Sequence, residues 1–156
     1  MSRKPALLFA LALLVLLSSF VSACDASPST GTSADHDMPM AALDDMPAEV
    51  QAAPVTVQQA YQFAAANPDV MTKLPCFCGC GEMGHTSNYS CYVSGVGADG
   101  ALQYDSHALG CSICVDITQD AIRLLNEGKT VREIRSYVDA TYSRFGPSNM
   151  PPAEGG

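Results

Sequence analysis

The chain has no tryptophan, only 7% aromatic residues and few basic side chains, with 8 Lys and Arg against 16 Asp and Glu in 156 residues. The formal net charge of −8 excludes a typical nucleic-acid-binding protein, because an acidic surface repels the phosphate backbone. A chain of this length has room for one domain and hardly a second. Much of its apolar content lies in one run near the N-terminus, which leaves a modest core. Cross-links or a metal then become a plausible source of stability, and the seven cysteines are the candidates for either.

Residues 1–23 have the layout of a secretory signal. Arg3 and Lys4 precede an uncharged, mostly apolar run, an order typical of such signals. The run is also long enough to span a membrane, and a transmembrane helix or an ordinary signal peptide are the alternatives. It ends in Val21-Ser22-Ala23-Cys24. This ending resembles a bacterial lipobox, whose cysteine receives a diacylglycerol and becomes the N-terminus after cleavage. We therefore predict a lipoprotein signal peptide and lipidation of Cys24.

Cleavage after this signal changes both charge and compartment. Loss of Arg3 and Lys4 takes the formal net charge from −8 to −10, and the mature chain faces an oxidising, extracytoplasmic space. Asp25 directly follows the lipidated cysteine, which resembles the inner-membrane retention signal of diderm bacteria. The predicted location is therefore extracytoplasmic and lipid-anchored, on the inner membrane facing the periplasm if the source is a diderm.

Composition divides the mature chain into three parts. Residues 24–55 are acidic and rich in Ser, Thr, Pro and Ala, without an aromatic residue, which predicts a flexible tether. Its methionines and His36 are candidate ligands for collecting copper. Residues 56–144 form the predicted Cys-rich domain, and the Gly, Pro and small residues over 145–156 predict a disordered tail.

Helical periodicity brackets the cysteines. Apolar residues at helical spacing predict three helices, over residues 56–67, 112–128 and 130–142. Thr130 and Glu133 form a capping-box pattern at the start of the third. A turn signal at residues 98–100 predicts a short hairpin. The predicted fold class is mainly α, a small helical domain with an irregular Cys/Gly-rich loop.

Six cysteines besides Cys24 lie close together as C-x-C-x-C, a lone cysteine and C-x-x-C: Cys76, Cys78, Cys80, Cys91, Cys111 and Cys114. In a small extracytoplasmic domain, six cysteines normally form three disulfides, which is one alternative. The spacing opposes it, because cysteines two residues apart bond only in strained geometry, so each of the first three needs a distant partner. A second alternative is thiol–disulfide exchange at the C-x-x-C, but the βαβ surroundings of such enzymes are missing.

A thiolate metal site accounts better for this spacing. Converging thiolates suit Cu(I), Zn(II) or an iron–sulfur cluster. Six sulfurs exceed one tetrahedral zinc site, whereas thiolates that bridge several Cu(I) ions would use them all. The C-x-x-C lies where a helix begins, and the helix dipole there favours thiolate. We predict that all six cysteines are metal ligands and that three nearby residues are auxiliary ligands: Met83, His85 and His107.

The first three cysteines lie in Pro75-Cys76-Phe77-Cys78-Gly79-Cys80-Gly81. This segment resembles the motif of the PCYCGC-motif lipoproteins of bacteria, with Phe77 in place of the tyrosine. The resemblance extends over about residues 57–143, through segments 61–64, 67–70, 111–114 and 128–135. It implies a small, membrane-anchored, cysteine-rich extracytoplasmic domain that handles a metal, copper above all.

These observations predict a membrane-anchored copper-binding lipoprotein without catalytic turnover. It would store or sequester Cu(I), or deliver it to copper-dependent membrane enzymes or efflux components. The alternatives are a disulfide-stapled structural or interaction lipoprotein without metal, and a zinc-binding domain. Nucleic acid is not an expected partner.

Overall fold

The computed structural model describes residues 38–153, which form five α-helices and one two-stranded antiparallel sheet. The helices are α1 (Ala48–Gln51), α2 (Val55–Ala66), α3 (Pro68–Met71), α4 (Ser112–Asn126) and α5 (Val131–Tyr142), and the strands are β1 (Val93–Val96) and β2 (Leu102–Tyr104). The mainly α prediction is confirmed. The predicted signal peptide and Cys24 lie outside the described residues. Within residues 38–153, no helix has the length and apolar character needed to cross a bilayer.

The three long helices pack side by side, with α4 against both α2 and α5. The predicted apolar stripes are the buried faces. On α2, Tyr61 and Ala64 are buried, on α4 Ile117 and Ala121, and on α5 Ile134. Because these residues recur at helical spacing, each helix turns one continuous face inward. The three packed helices, here called the helical base, support the cysteine-rich loop.

Helix α5 begins with a complete capping box. The Thr130 hydroxyl accepts the backbone N–H of Glu133, while the Glu133 carboxylate accepts the backbone N–H of Thr130 at 2.8 Å. Gly128, at φ +78°, adopts the left-handed conformation that ends α4 and lets the chain reverse. The capping box was predicted from the sequence, and it is confirmed.

Replacing Thr130 with alanine is expected to lower the free energy of unfolding by about 1 kcal/mol, since the cap hydroxyl is lost. Urea denaturation followed by circular dichroism measures this change. Thr130→Ser is the matched control, because it keeps the hydroxyl and should unfold close to wild type. A wild-type midpoint for the alanine variant would contradict the role of the cap.

The predicted hairpin is also present. Strands β1 and β2 pair with Val93 opposite Tyr104 and Val96 opposite Leu102, with an irregularity in register between them. The turn contains Gly100 at φ +84°, a conformation that glycine adopts without steric cost. The hairpin connects the segment that carries Cys91 to the loop that leads into α4.

The folded domain starts earlier than predicted. Residues 38–55, assigned from composition to the flexible tether, pack against the domain: Met46 is 4% exposed and Val50 only 1%. The backbone N–H of Ala41 donates to the carbonyl of Gln62 at 3.0 Å, and the Gln62 side chain donates back to the Ala41 carbonyl at 2.9 Å. The tether prediction is wrong for this segment because its apolar side chains are buried against the domain and its backbone hydrogen-bonds to α2.

The tail prediction is likewise wrong for part of residues 145–156. Residues 146–150, here called the C-terminal strap, lie against the first cysteine motif. The Cys76 backbone N–H donates to Asn149 Oδ1 at 2.7 Å, and the Asn149 N–H donates to the Cys76 carbonyl at 3.1 Å. A Cβ on Gly146 would lie 2.9 Å from the Phe77 carbonyl oxygen, so this close approach needs glycine. The strap fixes the backbone that carries the motif.

Candidate metal centre

The six predicted cysteine ligands come together at one end of the helical base. Four of them form what we call the thiolate core, in which Sγ–Sγ distances are 3.3 Å for Cys76–Cys78, 3.4 Å for Cys76–Cys114, 3.6 Å for Cys78–Cys114 and 3.1 Å for Cys111–Cys114. The remaining two, Cys80 and Cys91, are 3.7 Å apart. Cys91 also lies within 4.8 Å of both Cys76 and Cys114, so the six sulfurs are one connected set. No disulfide bond joins any of these six cysteines in the described part of the chain.

Local backbone geometry explains how the first motif converges. Cys76 and Phe77 are both buried, at the edge of the core. Gly79, at φ +85°, turns the chain in a left-handed conformation and starts a 3₁₀ turn that carries Cys80. This conformation disfavours any residue with a Cβ. The glycine thereby lets the chain turn so that the sulfurs of Cys76, Cys78 and Cys80 all lie within 4.8 Å of one another.

The second motif uses the start of α4. Cys111 is the N-cap residue of that helix, and Cys114 is in its first turn. Cys114 is fully buried, whereas Cys111 is half-buried. Sulfurs at this position lie near the positive end of the helix dipole and near unpaired amides, both of which stabilise thiolate. The C-x-x-C placement predicted from the sequence is confirmed.

Contacts among the thiols move their pKa values in opposite directions. Hydrogen bonding with Cys114 lowers the pKa of Cys76 and that of Cys111. The same contacts, with Cys111 first, raise the pKa of Cys114. Burial raises the pKa of Cys78 and of Cys80. The centre thus combines thiolates with protonated thiols, and the thiolate is the form that binds metals.

Three buried polar residues that the sequence analysis missed hold Cys114 in place. Its carbonyl accepts the Tyr92 hydroxyl at 2.8 Å, the Thr118 hydroxyl at 3.1 Å and the Asn88 amide at 3.3 Å. Tyr92 follows Cys91 directly, so this contact also ties the two cysteine regions together. Thr118 one turn after Cys114 was the available sequence signal, because a hydroxyl at that spacing bonds the carbonyl four residues earlier.

Of the three predicted auxiliary ligands, the structure brings two to the cysteine centre. His107 Nε2 lies 3.4 Å from Cys78 Sγ, and the rings of His85 and His107 are 5.1 Å apart at nearly right angles. Met83 is 64% exposed, on the turn that begins at Cys80. The two histidines therefore lie at the centre, whereas the auxiliary role of Met83 stays a prediction.

Cysteine and histidine ligand atoms at this centre form groups that could hold a metal ion, each with all its ligand atoms within 4.8 Å of one another. The groups are Cys78, His107, Cys111 and Cys114; Cys80, His85, Cys91 and His107; Cys76, Cys78 and Cys80; and Cys76, Cys91 and Cys114. They share members, so a metal at one group adjoins the next. This overlap allows ions to be bridged by a common thiolate or passed between neighbouring groups.

Comparison with protein families finds a match that covers most of the chain. A model of the family described as "Protein of unknown function with PCYCGC motif" matches residues 9–152. No curated protein and no solved structure matches the chain. The family match spans the cysteine motifs and the three long helices that position them. The chain therefore belongs to the PCYCGC-motif family.

Proposed function

We propose that this protein binds Cu(I) at its cysteine centre and is anchored to a membrane on the extracytoplasmic side through lipid on Cys24. The observation that carries the proposal is the convergence of six cysteine sulfurs, linked by contacts of 3.1–3.7 Å and by groups within 4.8 Å. Soft thiolate donors favour Cu(I), Zn(II) and iron–sulfur clusters, and six sulfurs exceed one tetrahedral zinc site but suit several Cu(I) ions bridged by thiolates. The protein would store or sequester the ion, or deliver it to copper-dependent membrane enzymes or efflux components.

Ligand exchange is the proposed mechanism, and it needs neither a general acid nor a general base. An incoming Cu(I) ion would first meet a sulfur that is already a thiolate, for which Cys76 and Cys111 are the candidates. Neighbouring thiols would then lose their protons as they bind, because metal ligation requires the deprotonated form. Overlapping ligand groups let the ion move by replacing one thiolate with another.

The main rival is a disulfide-stapled protein without metal. One complete pairing within reach joins Cys76 to Cys114 at 3.4 Å, Cys80 to Cys91 at 3.7 Å, and Cys78 to Cys111 within 4.8 Å. This pairing contains no strained bond between cysteines two residues apart, so the sulfur positions alone fit disulfides as well as metal. The ligand atoms of His85 and His107 lie in the same groups as the sulfurs, and metal binding uses such nitrogens whereas disulfides do not, which favours the metal proposal.

Thiol titration combined with metal analysis tests the proposal. The protein is extracted from membranes without air, and its copper, zinc and free thiols are measured in the same sample. Lipidated Cys24 is a thioether and does not react, so we expect six reactive thiols once copper is removed, and more than one copper ion per chain beforehand. Three disulfides without metal would refute the proposal. A single zinc ion per chain and no copper would retain the metal centre and refute copper.

A further inference from the structure

Two of the six cysteines, Cys80 and Cys91, form a group with both histidines of the centre, and each also lies within 4.8 Å of cysteines of the thiolate core. Cys80, Cys91, His85 and His107 have ligand atoms within 4.8 Å of one another, and we call these four residues the mixed site. Each of three short 3₁₀ turns supplies one ligand, with Cys80 on Cys80–Met83, Cys91 on Tyr89–Cys91 and His107 on His107–Leu109. The donor set is two sulfurs and two nitrogens, unlike the four sulfurs of the thiolate core.

His85 is oriented as a metal ligand. Its side chain is only 9% exposed, and Nε2 faces Asp105 Oδ2 at 3.6 Å. The other ring nitrogen, Nδ1, is buried without a hydrogen-bond partner in the described part of the chain. A buried nitrogen left unpaired destabilises a fold unless something binds it. Metal-ligating histidines typically direct their second nitrogen at a carboxylate, which fixes the tautomer and the ring orientation.

Asp105 acts on both histidines at once. Its Oδ1 accepts the backbone N–H of His107 at 2.7 Å, while Oδ2 faces His85. The Asp105 carboxylate therefore holds the turn His107–Leu109 in place. It also polarises the ring of His85, whose Nδ1 has no hydrogen-bond partner in the described part of the chain. A structural role for Asp105 would explain its hydrogen bond with the His107 backbone. It would not explain why Nδ1 of His85 is buried without a partner among the described residues.

Sulfur spacing fits a tetrahedral ion. Two thiolates bound to one tetrahedral zinc ion at about 2.3 Å lie about 3.8 Å apart, and the Cys80 and Cys91 sulfurs are 3.7 Å apart. Tetrahedral sites with two sulfurs and two nitrogens are typical of Zn(II). The thiolate core, with sulfurs alone, is the softer of the two sites.

We propose that the mixed site is a separate Cys₂His₂ site for a divalent tetrahedral ion of the zinc class, next to the Cu(I)-binding thiolate core. The inference rests on the proposed function only in taking the centre to bind metal. The two sites meet at His107, whose Nε2 is 3.4 Å from Cys78 Sγ in the core. Zinc at the mixed site would close the turns around the core and leave four cysteines for copper.

Zinc K-edge X-ray absorption on the full chain tests this assignment. The chain is purified without air and loaded with Cu(I), then with Zn(II), and unbound metal is removed. We expect one zinc ion per chain with two sulfur and two nitrogen ligands. Zinc held by four sulfurs, or no zinc on a copper-loaded chain, would overturn the inference while leaving the copper proposal intact. Zinc with two sulfurs and two nitrogens on a chain that binds no copper would support the inference and refute the copper proposal.

Two variants add a readout specific to the histidines. His85→Ala should lose zinc but keep the copper held by the thiolate core. Asp105→Asn keeps an oxygen for the His107 backbone N–H but removes the charge facing His85, so zinc affinity should fall about 10- to 100-fold with the ligand set unchanged. Asp69→Asn, at an exposed position of α3, is the matched control and should bind zinc as wild type does. Wild-type zinc affinity in Asp105→Asn, or loss of copper with retained zinc in His85→Ala, would refute the assignment.

Discussion

Replacing Cys114 with serine is expected to remove most of the Cu(I) bound by the thiolate core. The Cys114 sulfur is the hub of that core, at 3.4 Å from Cys76, 3.6 Å from Cys78 and 3.1 Å from Cys111. Loss of an outer-shell partner alone costs about 10- to 100-fold in metal affinity, so loss of this shared ligand should cost about 100-fold or more. Competition with a chromophoric Cu(I) chelator measures the affinity.

The controls for this prediction separate ligand loss from misfolding. Ser112→Ala changes an exposed side chain in the same motif and should bind copper as wild type does. Cys114→Ala, which leaves no hydroxyl in the buried position, should show the same loss as the serine variant. Circular dichroism of the metal-free proteins checks that α4 still forms. Copper affinity equal to wild type in both Cys114 variants would show that the thiolate core is not the copper site.

Helices, caps and the hairpin were predictable because their signals are local. The stripe on α4 repeats every three to four residues, and the capping box of Thr130 and Glu133 lies within one turn. The C-x-x-C position at the start of α4 followed from the same periodicity. Local signals of this kind can be recognised in a sequence without any knowledge of tertiary contacts.

Contacts between distant segments were not predictable. Asn149 reaches Cys76 across 73 positions of sequence, and nothing in a Gly- and Pro-rich tail marks that asparagine. Met46 and Val50 are too few for a periodic pattern, so composition alone assigned them to the tether. The division of the cysteines into a thiolate core and a mixed site depends on which sulfur each turn presents. The sequence shows how many candidate ligands there are, but their spacing does not show which of them share a site.

Cu(I) binding is expected to stabilise the folded domain strongly. The thiolate core joins the Cys76–Cys78 loop to the first turn of α4, segments that separate on unfolding. A ligand that binds only the native state adds about 4 kcal/mol at a free concentration 1,000 times its dissociation constant. For a folded domain of this size, that corresponds to a rise in melting temperature on the order of 15 °C.

Thermal unfolding under nitrogen, followed by circular dichroism, measures this rise for the wild-type chain with and without Cu(I). The Cys114→Ser variant is the control, and its melting temperature should respond far less because its core lacks the shared ligand. The disulfide-stapled alternative makes the opposite prediction, because a reductant alone would then lower the melting temperature and copper would not restore it. Equal melting temperatures for copper-loaded and metal-free wild type would exclude Cu(I) from the native core. A rise of the expected size, absent from the variant, would show that the cysteines of α4 and of the first motif bind copper together.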